Sequence, residues 1–165
     1  MNKAVYNTPP VLYARARVFK GLHWCMVLSE QQIYLVQECY RQVEESPHEF
    51  AKHYYGKLFE LEPRLQALFR NDLDIQGRKL IAMLEVAVNG VKDMGMLVPM
   101  LTQLTQLAHR HNDYNVKKSH FSLLNTALHH AFEQHLQQAY TDEHRQAWQT
   151  LLDFMVDTMK PEIIN

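Results

Sequence analysis

A stripe of apolar residues in the middle of the chain ends in a histidine. Leu97, Met100, Leu104, Leu107 and His111 recur at spacings of 3, 4, 3 and 4, which places them on one face of an α-helix. Neutral imidazole is the commonest metal ligand among protein side chains. The spacing therefore makes His111 a candidate metal ligand, with a core histidine bonded to a backbone carbonyl as the alternative.

His109 is the rival candidate, two residues earlier. Residues two apart on a helix point about 200° apart, so the two histidines cannot share a face. The neighbours of His109 on its own face are Thr102, Thr105 and Gln106, which are polar. Of the two histidines, only His111 is predicted to point into the core.

The composition limits which elements can position this histidine. The 165 residues are 47% hydrophobic and 21% charged, with a formal net charge of -1. These values indicate one globular domain with its own core, and they argue against a disordered chain, a membrane span or a nucleic-acid binder. Five glycines and six prolines, with few runs of Val, Ile and Thr, favour helices over sheet. The sequence predicts an all-α protein.

The numbers and positions of the cysteines and the other histidines argue against a second metal site and a disulfide. Cys25 and Cys39 form no C-x-x-C or zinc pattern, and such sparse usage indicates a reducing, cytoplasmic compartment. A disulfide between them has no support from the sequence. Most of the ten histidines are expected at the surface or its boundary. Five lie among polar neighbours without metal-binding spacing, namely His109, His129, His130, His135 and His144.

Residues 1–28 differ from the rest of the chain in charge. Their charged side chains are all basic, namely Lys3, Arg15, Arg17 and Lys20. A basic segment with apolar neighbours fits contact with an anionic membrane surface or a partner, and the alternative is an extension packed on the domain. Its apolar runs are too interrupted for a bilayer span or a secretory signal. We divide the chain into a basic extension (1–28), a domain (29–160) and a tail (161–165).

Start and stop signals divide the domain into helices. Capping residues or proline mark the predicted starts: Ser29, Pro47, Asp72, Asn115 or Ser119, and Thr141. Predicted ends lie at Ser46, Glu62, Phe69 and Asn89-Gly90. Apolar residues recur between them with helical spacing, so their inward faces are expected to form one core.

Four motifs follow one another along this helical chain. They are YGKLFELEPRLQALF (55–69), QGRKL (76–80), LAHRHNDYNV (107–116) and TDEHRQAW (141–148). In this order they resemble a globin, and among globins the haem domains of the bacterial single-domain and flavohaemoglobin type. The resemblance runs from residue 28 to residue 159, about four fifths of the chain. It implies a globin fold of roughly seven to eight helices around haem b, iron protoporphyrin IX.

The resemblance also implies which residues contact the haem. The matching positions are Tyr55, Phe69, Gln76, Leu80, Leu107, His111 and Val116. His111 matches the proximal iron ligand and Phe69 the phenylalanine that stacks on the haem. Tyr55 and Gln76 match distal positions and would donate hydrogen bonds to partly negative bound oxygen, which implies slow oxygen release. Without the resemblance, the pattern indicates a core tyrosine at Tyr55 and a solvated residue of a first helical turn at Gln76.

The chain departs from the family pattern in two places. Gln76 and His111 are 111 - 76 = 35 positions apart, about three more than expected, and a Leu-Thr-Gln repeat at 101–106 accounts for the excess. If the fold absorbed that insertion at another place, Lys79 would move toward the haem edge. In flavohaemoglobin-type domains, a tyrosine ten residues after the proximal histidine supports the imidazole, and here that position is Phe121. Glu143 lies where the acidic partner of that set would be sought.

The resemblance implies three candidate functions. The first is binding or storage of oxygen, with nitric oxide and carbon monoxide as further ligands. The second is nitric oxide dioxygenation in the same pocket, weakened by the loss of proximal support. This activity requires a separate electron-donor reductase, since the glycines form no G-x-G-x-x-G. The third is a globin-fold sensor or interaction module.

Overall fold

The computed structural model describes residues 28–69, 72–113 and 120–159, together with residue 161. The α-helices in these ranges are α1 (Glu30–Glu45), α2 (Pro47–Leu61), α3 (Leu73–Lys92), α4 (Met94–Asp113), α5 (His120–Leu136) and α6 (Asp142–Met159). The 3₁₀ helix Pro63–Leu68 lies between α2 and α3, and a second, Gln137–Ala139, lies between α5 and α6. No strand occurs in the described ranges, and the all-α prediction is confirmed.

Local sequence signals set the start of the first two helices. The Ser29 hydroxyl accepts a hydrogen bond from the Gln32 backbone N–H at 3.2 Å, and the Gln32 side chain accepts one from the Ser29 N–H at 2.9 Å. This reciprocal capping satisfies two backbone donors that a helix start otherwise leaves open. Pro47 occupies the first turn of α2, where a missing N–H costs nothing. Both predicted starts are confirmed.

The core forms where three helices meet. α2 packs against α5, and α6 packs against both α1 and α5. At the centre, the Phe132 ring lies 4.9 Å from Phe50 and 4.5 Å from Trp148, and all three side chains are fully buried. Such aromatic pairs add about 0.5–1.5 kcal/mol each beyond the burial of area. This aromatic cluster joins α2, α5 and α6, while α3 packs against α2 and α4 packs against α6.

The predicted end of α3 at Asn89-Gly90 is wrong. The helix continues to Lys92, and Gly90 is buried inside it rather than capping it. A Cβ atom on Gly90 would lie 2.8 Å from Cβ and 2.9 Å from Cγ of Met100 in α4. The glycine is therefore required by the close approach of two helices, a cause that the sequence of one helix cannot reveal.

Two histidines that were expected near the surface are buried. His129 is 6% exposed and His144 is 8% exposed. His144 Nδ1 lies 3.0 Å from the Thr141 hydroxyl and its Nε2 lies 3.3 Å from a Glu38 carboxylate oxygen. Burial of His144 is tolerated because both ring nitrogens have partners, Thr141 at the start of the same helix and Glu38 on α1. Polar neighbours in sequence did not reveal this burial, because Glu38 meets His144 only in the fold.

Several expectations fall on residues that the structure does not describe. Residues 1–27, Asn115, Val116 and Ser119 lie outside the described ranges, and so does Cys25. Cys39 is a free, buried thiol, and burial raises its pKa to about 12. None of the described helices combines the length and apolar character that crossing a bilayer requires.

We predict opposite effects of alanine at two glycines within helices. Gly90→Ala pushes α4 away from α3 and is expected to lower the free energy of unfolding by about 1–3 kcal/mol. On Gly56 in α2, an added Cβ would meet no atom within 4 Å, so Gly56→Ala is expected to stabilise the protein by up to about 1 kcal/mol through helix propensity. Urea unfolding of both variants tests this, and equal effects would contradict the role of Gly90.

Candidate functional site between α3 and α4

α3 and α4 form an antiparallel hairpin, connected by Asp93 alone. The contact between Gly90 and Met100 fixes their register. Leu80 lies 90 - 80 = 10 residues before that contact and His111 lies 111 - 100 = 11 residues after it. At 1.5 Å per residue, both are roughly 15 Å from the contact. The antiparallel hairpin therefore places Leu80 and His111 at similar distances along their helices from this contact.

His111 lies at the margin of the buried face of α4. Met100, Leu104 and Ala108 are almost fully buried, while Leu107 and His111 are partly buried. His109 is exposed, so the predicted orientation of the two histidines is confirmed.

The His111 imidazole has no hydrogen-bond partner. Its Nδ1 is buried, and neither ring nitrogen bonds to another group in the described ranges. The ring meets Phe121 edge-on, with centroids 6.3 Å apart and planes at 80°. Burial, and then the nearby Arg110 charge, lower the pKa of His111. The ring is thus kept neutral, the form that binds metals, and its buried Nδ1 has no partner among the described residues.

Glu143 does not support this imidazole. Its carboxylate accepts a hydrogen bond from the Thr141 hydroxyl at 2.6 Å in the first turn of α6. Negative charge at a helix N-terminus is favourable, so this contact explains the residue as part of the helix start. The side chain beside His111 is Phe121, which offers only a ring edge.

Tyr55 and Phe69 lie together near the start of α3. Their ring centroids are 5.3 Å apart, and Phe59 also lies 5.3 Å from Phe69. The Tyr55 hydroxyl donates a hydrogen bond to the Gln76 backbone carbonyl at 3.2 Å, which ties α2 to the first turn of α3. Burial raises the pKa of Tyr55 above its usual range, so its hydroxyl stays a hydrogen-bond donor at neutral pH.

The remaining candidates differ in exposure. Leu80 is 7% exposed, Phe69 and Leu107 are partly buried against the core, and Gln76 is half-buried. Lys79 is exposed on α3. These residue types suit a flat, largely apolar group that carries a metal, since they combine apolar and aromatic side chains with one imidazole that has no partner among the described residues.

Two cavities lie elsewhere, and His111 lines neither. One, of about 540 Å³, is an apolar groove between α2 and α3 that reaches the Tyr55 ring. His48 Nδ1 lies 3.1 Å from a carboxylate oxygen of Asp74 at its edge. No sequence motif indicates this groove, because residues of two helices form it together.

The other cavity, of about 640 Å³, lies between α5 and α6 and is lined by both polar and apolar side chains. His129 Nδ1 lies 2.7 Å from the Tyr140 hydroxyl, and its Nε2 lies 2.9 Å from the Gln149 side-chain oxygen. The Gln149 amide nitrogen donates in turn to Asp153 at 2.8 Å. His129 must then carry its proton on Nε2 and accept from Tyr140. These groups satisfy one another, so they explain the burial of His129 without a ligand.

Comparisons with known proteins show the family to which the chain belongs. The family model described as Globin matches residues 52–159. The flavohemoprotein of Vibrio cholerae is 20% identical over 129 residues, covering 78% of this chain and 33% of that protein. The flavohemoprotein of Chromobacterium violaceum is 24% identical over 133 residues, covering 81% of this chain and 33% of that protein. The chain thus spans about a third of the length of the curated relatives it matches.

Solved structures share the fold. A hexacoordinated haem protein from an anhydrobiotic tardigrade superimposes with a TM-score of 0.72 at 17% identity, covering 84% of this chain and 96% of that protein. A bacterial globin from Campylobacter jejuni superimposes with a TM-score of 0.66 at 19% identity, covering 81% of this chain and 97% of that protein. The predicted globin fold is confirmed.

We predict that His129 makes stability depend on pH. Burial lowers its pKa in the folded protein, so below about pH 6.5 the unfolded chain binds more protons than the folded one. The stability present above that pH is therefore lost as the pH falls, by at most about 1.4 kcal/mol per pH unit. Urea unfolding at pH 7.5 and 5.5 should show a smaller loss for His129→Gln than for wild type.

The matched control is His130→Gln, one residue along the same helix. The His130→Gln variant should lose as much stability on acidification as wild type does. In the haem-free protein, part of that loss comes from His111, whose pKa is also lowered. A His129→Gln variant with the full wild-type loss would contradict the role of the buried ring.

Proposed function

The chain belongs to the globin family, and on that premise we propose that it is a haem protein that binds dioxygen and other diatomic ligands, among them nitric oxide and carbon monoxide. The cofactor is haem b, held between α3 and α4. The observation that carries the proposal is the neutral, unpaired imidazole of His111 at the end of the apolar face of α4. When bound, the haem iron supplies the position at which diatomic ligands bind reversibly.

His111 is proposed as the proximal ligand, with apolar contacts to the porphyrin from Phe69, Leu80 and Leu107. The partial burial of Phe69 and Leu107 leaves apolar surface for a flat ligand to cover. Val116, outside the described ranges, is proposed as a further contact from the family match.

Tyr55 and Gln76 are proposed to act on the distal side. The Tyr55 hydroxyl now donates to the Gln76 carbonyl, and rotation about its C–O bond would redirect the same proton toward a bound ligand. Oxygen carries more negative charge than carbon monoxide when bound, so these donors favour oxygen. If each hydrogen bond contributes about 1–3 kcal/mol, oxygen affinity rises roughly tenfold to more than a hundredfold per bond.

Nitric oxide dioxygenation is the second candidate, because the matched relatives are flavohemoproteins. This activity would use the same Tyr55 and Gln76 side chains, with a reductase supplying electrons. The surroundings of His111 favour oxygen binding instead, since Phe121 supplies no hydrogen bond that would make the imidazole more basic.

We propose residues 29–160 as the haem domain, because Ser29 caps α1 and α6 ends at Met159. The proposed location is the cytoplasm, with the basic segment 1–28 as a contact for an anionic membrane surface. The free Cys39 thiol fits a reducing compartment.

The first test replaces the two histidines of α4 separately. Haem-reconstituted wild type should show a Soret band and a stable oxy spectrum, and His111→Ala should lose both the oxy spectrum and histidine ligation. His109→Ala, two residues away and exposed, should behave as wild type. Ultraviolet-visible spectra of the ferric, ferrous and oxy forms decide this. Wild type without haem, or His111→Ala with unchanged ligation, would contradict the assignment.

The second test concerns oxygen release. Tyr55→Phe removes one donor and is expected to speed oxygen dissociation about tenfold or more. Stopped-flow displacement of oxygen by carbon monoxide measures the rate. Tyr54→Phe is the matched control, because the neighbouring buried tyrosine makes no hydrogen bond in the described ranges. Equal rates in the two variants would remove Tyr55 from the distal site.

A further inference from the structure

The Tyr140 hydroxyl is bonded to a base. Its oxygen lies 2.7 Å from Nδ1 of His129, and Nε2 of that ring lies 2.9 Å from the Gln149 side-chain oxygen. Because an amide oxygen only accepts, the ring carries its proton on Nε2, and Nδ1 accepts the phenol proton. The Gln149 amide nitrogen donates to Asp153 at 2.8 Å, which keeps the amide oxygen turned toward the ring. The four groups form one directed chain that begins at the phenol.

This hydrogen bond distinguishes Tyr140 from the other tyrosines that the structure describes. Tyr34 is 53% exposed, and the Tyr55 hydroxyl donates to the Gln76 backbone carbonyl. A carbonyl accepts a hydrogen bond but does not take up a proton at neutral pH, whereas a neutral imidazole does. Within the described ranges, Tyr140 is the tyrosine whose hydroxyl donates to a titratable base.

The charged groups nearby leave both partners neutral. Burial lowers the pKa of His129, while burial, and then the nearby Cys39, raise the pKa of Tyr140. Arg145 lies over the Tyr140 ring, 5.5 Å from its centroid, and its guanidinium is paired with the Glu133 carboxylate. At neutral pH the phenol therefore keeps its proton and the imidazole is free to accept it.

A second histidine faces the same ring. The centroid of His144 lies 6.3 Å from that of Tyr140. Its Nδ1 lies 3.0 Å from the Thr141 hydroxyl, and its Nε2 lies 3.3 Å from a Glu38 carboxylate oxygen. Both nitrogens of His144 are engaged elsewhere, so His129 is the acceptor of the phenol proton.

Ring contacts connect Tyr140 to the aromatic core. Its ring stacks on Phe132 with centroids 5.4 Å apart and planes at 19°, and Phe132 lies 4.5 Å from Trp148. Indole and phenol are the most readily oxidised aromatic side chains, and electrons cross quickly between rings at such separations. An electron lost from buried Trp148 is therefore replaced from Tyr140.

We propose that Tyr140 and His129 form a one-electron redox site, in which Tyr140 is oxidised to a neutral tyrosyl radical while its proton moves to His129. A strong one-electron oxidant, such as nitrogen dioxide, takes the electron and leaves as its anion, nitrite. The O–H bond of Tyr140 breaks and an N–H bond forms at His129 Nδ1, which leaves an imidazolium. A one-electron reductant such as ascorbate restores the phenol with the same proton. The step goes beyond the proposed function and uses no haem.

The hydrogen bond makes this oxidation more favourable. A phenol that loses an electron becomes a strong acid, and without a base it would leave a positive charge on a partly buried ring. Transfer to His129 keeps the radical neutral and places the charge beside the Glu133 and Asp153 carboxylates, which oppose the effect of burial on the pKa of His129. The proton moves along a hydrogen bond that already exists, so the fold does not rearrange.

The first test traps the radical in the full chain as purified. A light flash generates tris(bipyridine)ruthenium(III) as the oxidant, the sample is frozen, and high-field electron paramagnetic resonance is recorded in ordinary and heavy water. Ferric haem absorbs at other fields, so haem content does not affect the result. We expect a tyrosyl radical coupled to an exchangeable proton at its oxygen, with the coupling lost in heavy water. A wild-type radical without that coupling would overturn the inference.

The second test uses two variants with matched controls, each shown to be folded by a cooperative urea unfolding transition. Tyr140→Phe should lose the coupled radical, and Tyr34→Phe should keep it. His129→Gln retains a polar side chain but no base, so the yield of coupled radical per flash should fall about tenfold or more. His130→Gln should match wild type. A coupled radical in Tyr140→Phe, or a wild-type yield in His129→Gln, would refute the redox pair. If Tyr140→Phe does not fold, the yield in His129→Gln decides.

Discussion

The close approach of α3 and α4 at Gly90 and Met100 is the constraint on which the candidate site depends. The missing side chain of Gly90 lets the two backbones come together, and Met100 fills the space. This close contact contributes to the register of the hairpin, and with it to the position of Leu80 along α3 relative to that of His111 along α4. A shift of one helix relative to the other would separate the distal and proximal candidates, although neither residue takes part in the contact.

The aromatic core supplies the frame around this hairpin. Phe50, Phe132 and Trp148 join α2, α5 and α6, and the Tyr55 hydroxyl ties that frame to the first turn of α3. Tyr55 therefore has a structural role in the haem-free chain and a proposed ligand-binding role with haem. The interpretation of Tyr55 as a core tyrosine is compatible with its proposed distal role. Its hydroxyl can donate to the Gln76 carbonyl in the haem-free chain and to a bound ligand when haem is present.

Periodicity and capping rules predict what depends on one helix at a time. They identify the starts at Ser29 and Pro47 and the opposite orientations of His109 and His111. They fail where the cause lies between helices. Gly90 resembles a helix end because the Met100 side chain that requires it belongs to the next helix, and His129 resembles a surface residue because Tyr140 and Gln149 meet it only in the fold. The haem roles of Phe69, Gln76 and Leu107 come from the family resemblance, and they stay predictions.

A crystal structure of the haem-reconstituted protein tests the central claim most directly. We predict haem between α3 and α4, with a His111 ring nitrogen bonded to the iron and Tyr55 on the opposite face. Haem bound elsewhere, or iron bound by a side chain other than His111 on the α4 side, would contradict it.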